Sequence, residues 1–413
     1  MTHRWRKRTL ACLLALALLT TLGIGCGNDE GDGKETIVIG NLTDMTGPGA
    51  TALVPMTWAL QDMVNEINEQ ELIPGVTLKV ENYDTALDSA RFIPGYEWLK
   101  GKGAQVMVSV FSDCSETLKP YAERDKIAIL GMATTEPMIE DPGWVFGFCP
   151  PNRYCVRLLM QWLSDKWEAD GKTGKPKIAT VGWADSWGTD QERGAREYCE
   201  AHPDDLEYVG AYLAPVGTLT WSGEVAETKD CDYINLSANG ALQPATFIDE
   251  YYTKGGTGTF VSTEAPSAYV GYITERAGWE AVDGHFNVQT WGWWNLPWPK
   301  VEYAKEVLQR YHPDEADELT RSGMGYLGGG LMQLFALEIL VEAVNSVGID
   351  EFDGQAYYDA AVDYTKTWEG FSERGFTETR RYVSQHNIVL EWRADEEDLV
   401  KVSDWLPVIA AME

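Results

Sequence analysis

Apolar positions along this chain fall into short β-branched runs separated by stretches of helical spacing. Residues 35–40 (ETIVIG) are bounded by polar residues and glycine, the pattern of a buried strand. A turn-rich loop, residues 43–50 (TDMTGPGA), follows. Leu53, Met56, Ala59, Leu60, Met63, Val64 and Ile67 then recur at the period of an amphipathic helix. The order repeats, with strands expected over 76–80, 105–110 and 126–131, a helix containing 92–100 and another running through Tyr121. Strands alternating with helices at this spacing predict a parallel sheet covered on both faces.

The pattern restarts at residues 177–182 (KIATVG). A helix over 191–202, strands over 207–212 and 232–236, a helix over 244–253 and a strand over 259–262 predict a second α/β unit of similar size. Between the units, residues 147–152 (GFCPPN) carry a proline pair and read as a crossing point. Residues 327–347 form a strongly apolar helix interrupted by Gln333, Glu338 and Glu342, which predicts a core helix rather than a membrane span. At the end, 386–392 and 398–407 predict two strands joined by an acidic turn.

Composition adds location and excludes partners. Arg4, Arg6, Lys7 and Arg8 precede a 16-residue apolar run, 10–25, that stops at Cys26. A basic segment, a short apolar segment and small residues at its end predict a secretory signal over 1–25, since a spanning helix needs about 20 apolar residues. Residues 26–36, polar and glycine-rich, predict a flexible tether. The net charge of −31 becomes −35 without residues 1–25, which hold four basic side chains and no acidic one. So acidic a body repels nucleic acid and anionic lipid headgroups. Some 380 residues with 44% apolar content exceed what one core usually holds, so two domains are expected. Beyond Cys12 and Cys26, five cysteines remain: Cys114, Cys149, Cys155, Cys199 and Cys231. If disulfides form, Cys199–Cys231 and Cys149–Cys155 are the nearest pairs in sequence, leaving Cys114 free. No C-x-x-C occurs and the histidines are scattered, so no metal site and no cofactor is expected.

Chemistry concentrates in loops that follow strands, where open α/β sheets bind ligands. In the first unit these are Phe111-Ser112-Asp113-Cys114-Ser115-Glu116-Thr117 and Met132-Ala133-Thr134-Thr135-Glu136-Pro137. Hydroxyls and backbone N–H groups there, opening onto helix N-termini, suit a carboxylate or another small anion; the alternative is that they cap helices. The second unit offers Asp185-Ser186-Trp187-Gly188, Ser237-Ala238-Asn239-Gly240 and Ser262-Thr263-Glu264-Ala265-Pro266. Trp187 can stack on a ligand and Glu264 can pair with an ammonium group, unless it is a solvated loop carboxylate. Trp291, Trp293, Trp294 and Trp298 suggest a sugar or aromatic platform or, equally, packing between domains. There is no G-x-S-x-G and no H-E-x-x-H, Gly255-Gly256-Thr257-Gly258 lacks the ending of a phosphate loop, and no carboxylate pair stands out, so catalysis is not expected.

Taken in order, IVIGNLTDMTGPGA, the helix ending VNEIN, VTLKVENYDTALDSA, VSVFSDCSETLKPYAERDKIAILGMATTEP, KIATVGWADSWGTDQERGA and FVSTEAP resemble the branched-chain amino-acid binding family, type I periplasmic proteins serving ABC importers. The resemblance covers most of residues 36–413. It implies two Rossmann-like α/β lobes of mainly parallel sheet flanked by helices, joined by a three-crossing hinge. Lobe I would comprise 37–148 plus 289–386, and lobe II 149–288 plus 387–413. By position, Ser112, Ser115, Ala133, Thr134 and Thr135 look like the carboxylate site, with residues 41–46 on the cleft rim. Trp187 looks like the covering aromatic and Glu264 like the partner of the ammonium, with Asn239 in the facing loop. The serine loop departs from the family pattern at Asp113 and Cys114. Ile24-Gly25-Cys26 resembles a bacterial lipobox, with Gly23 where that pattern prefers leucine, which implies a lipid on Cys26; ordinary cleavage is the alternative.

Together these imply an extracytoplasmic, membrane-anchored, non-enzymatic monomer. It would capture an amino acid or related small polar ligand and deliver it to ABC permease subunits. The alternatives are a sensory receptor of the same fold for an amide, urea or aromatic acid, and a secreted glycoside hydrolase.

Overall fold

The computed structural model describes residues 34–237, 240–368 and 372–412. The expected signal, Cys26, most of the tether and Asn239 lie outside the described residues. The chain begins with β1 (Glu35–Thr43), α1 (Ala50–Glu69), β2 (Val76–Asp84), α2 (Phe92–Gly101), β3 (Ala104–Ser109), α3 (Ser112–Asp125), β4 (Ala128–Gly131), the one-turn α4 (Glu136–Ile139) and β5 (Val145–Gly147). These strands form one all-parallel sheet in the order β2-β1-β3-β4-β5.

The second half repeats that plan. After α5 (Asn152–Ala169) come β6 (Lys177–Trp183), α6 (Ser186–Ala201), β7 (Glu207–Ala214), α7 (Ser222–Thr228), β8 (Tyr233–Ser237), α8 (Leu242–Thr253), β9 (Thr259–Ser262), α9 (Val270–Ala277) and β10 (Phe286–Gln289). Their order, β7-β6-β8-β9-β10, is again parallel and again reverses beside its first strand. Such a reversal opens a crevice beyond the carboxyl ends of the strands.

The chain then returns to the first sheet. Helices α10 (Pro299–Tyr311), α11 (Ala316–Ser322), α12 (Gly325–Val347) and α13 (Gly354–Asp363) lead to a hairpin of β11 (Thr365–Trp368) and β12 (Ser372–Gly375). Helices α10 and α12 pack on α1. Finally β13 (His386–Arg393) joins the second sheet antiparallel to β10, followed by β14 (Asp398–Lys401) and β15 (Leu406–Pro407). The terminal strand expected over 398–407 is therefore two short strands broken at residues 402–405, both paired to β13.

Helix α12 is long and apolar enough to cross a membrane, yet 83% of its most apolar window is buried inside the protein. It is a core helix, as its interrupting polar residues imply. Its glycines let α1 approach: a Cβ on Gly329 would sit 2.5 Å from Met56 Cγ and 2.9 Å from Met56 Cβ.

Three segments connect the two sheets: residues 148–151, 290–298 and 376–385. They are tied to one another. The Trp291 indole donates to the Phe148 carbonyl (3.0 Å), Arg374 donates to the Thr290 carbonyl (2.6 Å), and the Val383 N–H donates to the Gly147 carbonyl (3.0 Å). The five cysteines are buried free thiols, so the pairings suggested by sequence proximity do not form.

Candidate functional site

Loops at the carboxyl ends of both sheets meet around a small cavity of about 70 Å³. From the first half come Leu53 and Met56 on α1, Val110 and Phe111 after β3, and Met132 and Ala133 after β4, with Met324 and Met332 at α12. From the second come Trp187 on α6 and Glu264, Ala265, Ala268 and Tyr269 after β9. Two wider grooves, of about 760 and 690 Å³, open elsewhere on the surface, the first chiefly between α1, α10 and α12, the second between α9, residues 293–295 and residues 396–398. Loops of both sheets also line a polar crevice of about 340 Å³ beside the small cavity, between Asp113 and Glu116 on one side and Asp185, Ser186 and Asp190 on the other.

The residues singled out in the sequence divide by direction. Ala133, Trp187 and Glu264 line the small cavity. Ser112 is buried at the start of α3, and its hydroxyl donates to the Ala133 carbonyl at 3.0 Å. Thr134 accepts from the Cys149 N–H at 3.2 Å and packs against Gly147, where a Cβ would come within 2.4 Å of it. Thr135 donates to Glu116. The Ser115 hydroxyl is buried with no hydrogen-bond partner, beside Gly131. The Ser112 and Thr135 hydroxyls hold the two loops together, and the cavity wall beside them is apolar. On the rim, Asp44 accepts from the Gly47 and Gly49 N–H groups, fixing the turn that starts α1.

Glu264 is a buried carboxyl at the junction of the connecting segments. It accepts from the Thr290 N–H at 3.4 Å and lies beside the Cys149 thiol. Burial raises its pKa, opposed by hydrogen bonds from Cys149 and Thr290 and by the charge of Arg374. A cation entering the cavity would favour the ionised form instead. The same burial, with Glu264 alongside, pushes the Cys149 thiol well up.

A second cluster bridges the two halves beside the cavity. The Ser186 hydroxyl, at the start of α6, stands 2.9 Å from both Asp113 Oδ1 and Glu116 Oε2 on α3. One hydroxyl hydrogen cannot serve two carboxylates, so both contacts are hydrogen bonds only if one acid keeps its proton. Burial raises the Glu116 pKa, against hydrogen bonds from Thr135 and Ser186. Nearby, Arg153 pairs with Glu136 and stands 3.5 Å from Asp190, whose pKa burial pushes up to about 7. Asn152 donates to the Trp187 carbonyl at 3.2 Å. The two halves are in contact across the crevice.

The tryptophans near residue 291 do not line the cavity. Trp291 packs on Phe148, Phe335, Trp368 and the Arg374 guanidinium, and Trp298 stacks on Trp405. Packing at the connecting segments explains these two. The methionine wall and the Ser186 bridge had no signal in the sequence, because Met56, Met132, Met324 and Met332 come from three separate segments. Among the described residues no group of three or more histidine, cysteine or acidic side chains is placed to hold a metal.

A family model described as periplasmic binding protein matches residues 36–397. A search of curated proteins finds no match. Among solved structures, the chain resembles a branched-chain amino acid ABC transporter protein from Thermus thermophilus with bound valine (18% identity, 91% of this chain and 97% of that one, TM-score 0.77). It also resembles a fatty acid ABC transporter substrate-binding protein from Thermomonospora curvata (17%, 90% and 92%, 0.78). An extracellular ligand-binding receptor from Rhodopseudomonas palustris HaA2 is similar too (18%, 89% and 100%, 0.71).

Proposed function

For this chain, which belongs to the periplasmic binding protein family, we propose the role of extracytoplasmic solute-binding component of an ABC importer that captures an amino acid with an apolar side chain. The observation that carries this is the small cavity built by loops of both sheets, apolar except for a few groups, with the Glu264 carboxyl in its wall. An aliphatic side chain removed from water there contributes about 1.5–3 kcal/mol. The ammonium would pair with Glu264, and the carboxylate would take the side of Ala133 and the α3 N-terminus. One lobe, 37–148 plus 289–386, would hold the ligand first. Closure of the other, 149–288 plus 387–413, would then add contacts and expel water, so that ligand selects the closed form. The reading includes a signal over 1–25 and a lipid on Cys26 holding a monomer near its permease.

A panel of amino acids, amides, and aromatic and aliphatic acids in a thermal-shift assay tests the proposal. A ligand at a hundredfold excess over its Kd stabilises the native state by about 2.7 kcal/mol and raises the melting temperature. Apolar amino acids should give the largest rise, and Glu264→Ala should weaken their binding roughly tenfold or more. Full affinity in Glu264→Ala would overturn the amino-acid reading. A rise with aliphatic acids alone would favour a second reading, an apolar carboxylic acid as solute, which the four methionines of the wall also suit.

A further inference from the structure

We propose that the indole N–H of Trp187 donates a hydrogen bond to a carboxylate or carbonyl oxygen of the captured solute, making Trp187 a specificity residue and not only a cover. This rests on the reading of the cavity as the solute site.

Six other buried tryptophans of this protein have an acceptor for the indole N–H. Trp183 donates to the Thr218 carbonyl (3.0 Å), Trp221 to Thr246 (2.9 Å), Trp291 to the Phe148 carbonyl (3.0 Å), Trp293 to Asp398 (2.6 Å), Trp294 to the Gly323 carbonyl (2.9 Å) and Trp392 to Asn287 (2.9 Å). Trp187 is just as buried, at 3% exposure, and its Nε1 has no acceptor in the protein. It is also the tryptophan that lines the cavity shared by the two halves. A buried donor left unpaired costs free energy that a phenyl ring in the same place would avoid. The indole N–H therefore makes physical sense where an acceptor arrives with the ligand.

The rest of the wall narrows the choice of acceptor. Its side-chain polar groups are Trp187, Glu264 and Tyr269, and the remainder is aliphatic, thioether or phenyl. Glu264 already accepts from Thr290 and lies beside the Cys149 thiol. It is therefore suited to receive a donor from the ligand, which leaves the acceptor end of the same molecule to Trp187. Solutes that present both ends beside an apolar body, such as leucine, satisfy the set; an alkylamine satisfies only half of it.

Three probes that differ by one group test this: L-leucine, 3-methylbutylamine (no carboxylate) and 4-methylpentanoate (no ammonium). Their affinities are measured by calorimetry for the wild type and for Trp187→Phe, which keeps an aromatic ring and removes the N–H. The inference expects Trp187→Phe to weaken leucine and 4-methylpentanoate about tenfold and to leave the amine unchanged. It also expects the ligand-free variant to melt within a few degrees of the wild type. Undiminished leucine binding by Trp187→Phe would overturn the inference and leave the solute reading intact. An equal loss for acid and amine would also overturn it, by showing that the ring packs and the N–H does nothing. A wild type that binds none of the three probes would overturn the solute reading and this inference with it.

Discussion

At the scale of single residues, direction decides role, and direction is invisible in a sequence. Serine and threonine after β3 and β4 are legible as polar residues at the ligand end of a sheet. Whether Ser112 faces a ligand or the Ala133 carbonyl depends on how two loops meet, and it faces the carbonyl. Glu116 shows the same limit, because its partner Ser186 is 70 residues away. The bridge it makes has a pH signature. Its pKa is raised by burial, so on the proposed closure the closed form would bind a proton that the open form releases. Closure should therefore strengthen as pH falls through the raised pKa and weaken as pH rises, the reverse of a salt-bridged carboxylate. Asp113, Asp185, Asp190, Arg153 and Arg193 line the same crevice, and Glu140 also acts on Glu116, so the wild-type profile is a composite. Glu116→Gln isolates one component, since its amide can donate to Ser186 and accept from Thr135 at any pH. Ligand affinity measured from pH 8 to pH 5 should rise less steeply in Glu116→Gln than in the wild type. Superimposable profiles would refute a protonated bridge.

At the scale of elements, several strands and helices were legible from the spacing of their apolar residues, although α10, with Val301, Ala304, Val307 and Leu308 on one face, was missed. Strands β1, β3, β6 and β9 and helices α1 and α12 lie where periodicity placed them. Strands β5 and β10, of three and four residues, were missed, although the four-residue β9 was not. Helix α5 was missed although it has 18 residues. Its buried face carries Asn152, Arg153 and Arg157, whose partners Glu136, Asp190 and Glu197 come from other elements, so the stripe does not look apolar. The α1–α12 contact yields a prediction at this scale. Alanine for glycine inside a helix ordinarily gains about 0.5–1 kcal/mol. At Gly329 the new methyl would meet the Met56 stem, and overpacking of that kind costs about 1–3 kcal/mol. The clash should win, and Gly329→Ala should lose about 1 kcal/mol in denaturant unfolding and weaken ligand binding through Met56. A stabilised Gly329→Ala would show that the two helices can part freely.

At the scale of the whole molecule, the three connecting segments behave as one unit. Trp291 reaches from the second segment to the Phe148 carbonyl of the first and packs under Arg374, which holds the Thr290 carbonyl. Its ring is 1% exposed, so Trp291→Ala should cost about 3–5 kcal/mol, as deletion of a fully buried aromatic does. Because Glu264 bonds to Thr290 in the same segment, that variant should also lose ligand affinity, although it touches no ligand. A stability loss below about 1 kcal/mol in urea melts would mean that the segments hold together without it.

Sequence alone was enough for the α/β class, two successive units of four strands each, the burial of α12 and the strand ends at which a site would form. These follow from local periodicity and from the rule that strands alternating with helices make parallel sheets, both of which act over tens of residues. Tertiary structure alone decided which side chains face the cavity, that the wall is thioether and aromatic rather than hydroxyl, and that a carboxyl, an unpaired indole N–H and the connecting segments share one junction. Those outcomes depend on contacts between separate elements, 21 positions apart for Ser112 and Ala133 and 143 for Trp291 and Phe148, and the free energy that fixes them is the packing and desolvation of groups that no local pattern brings together.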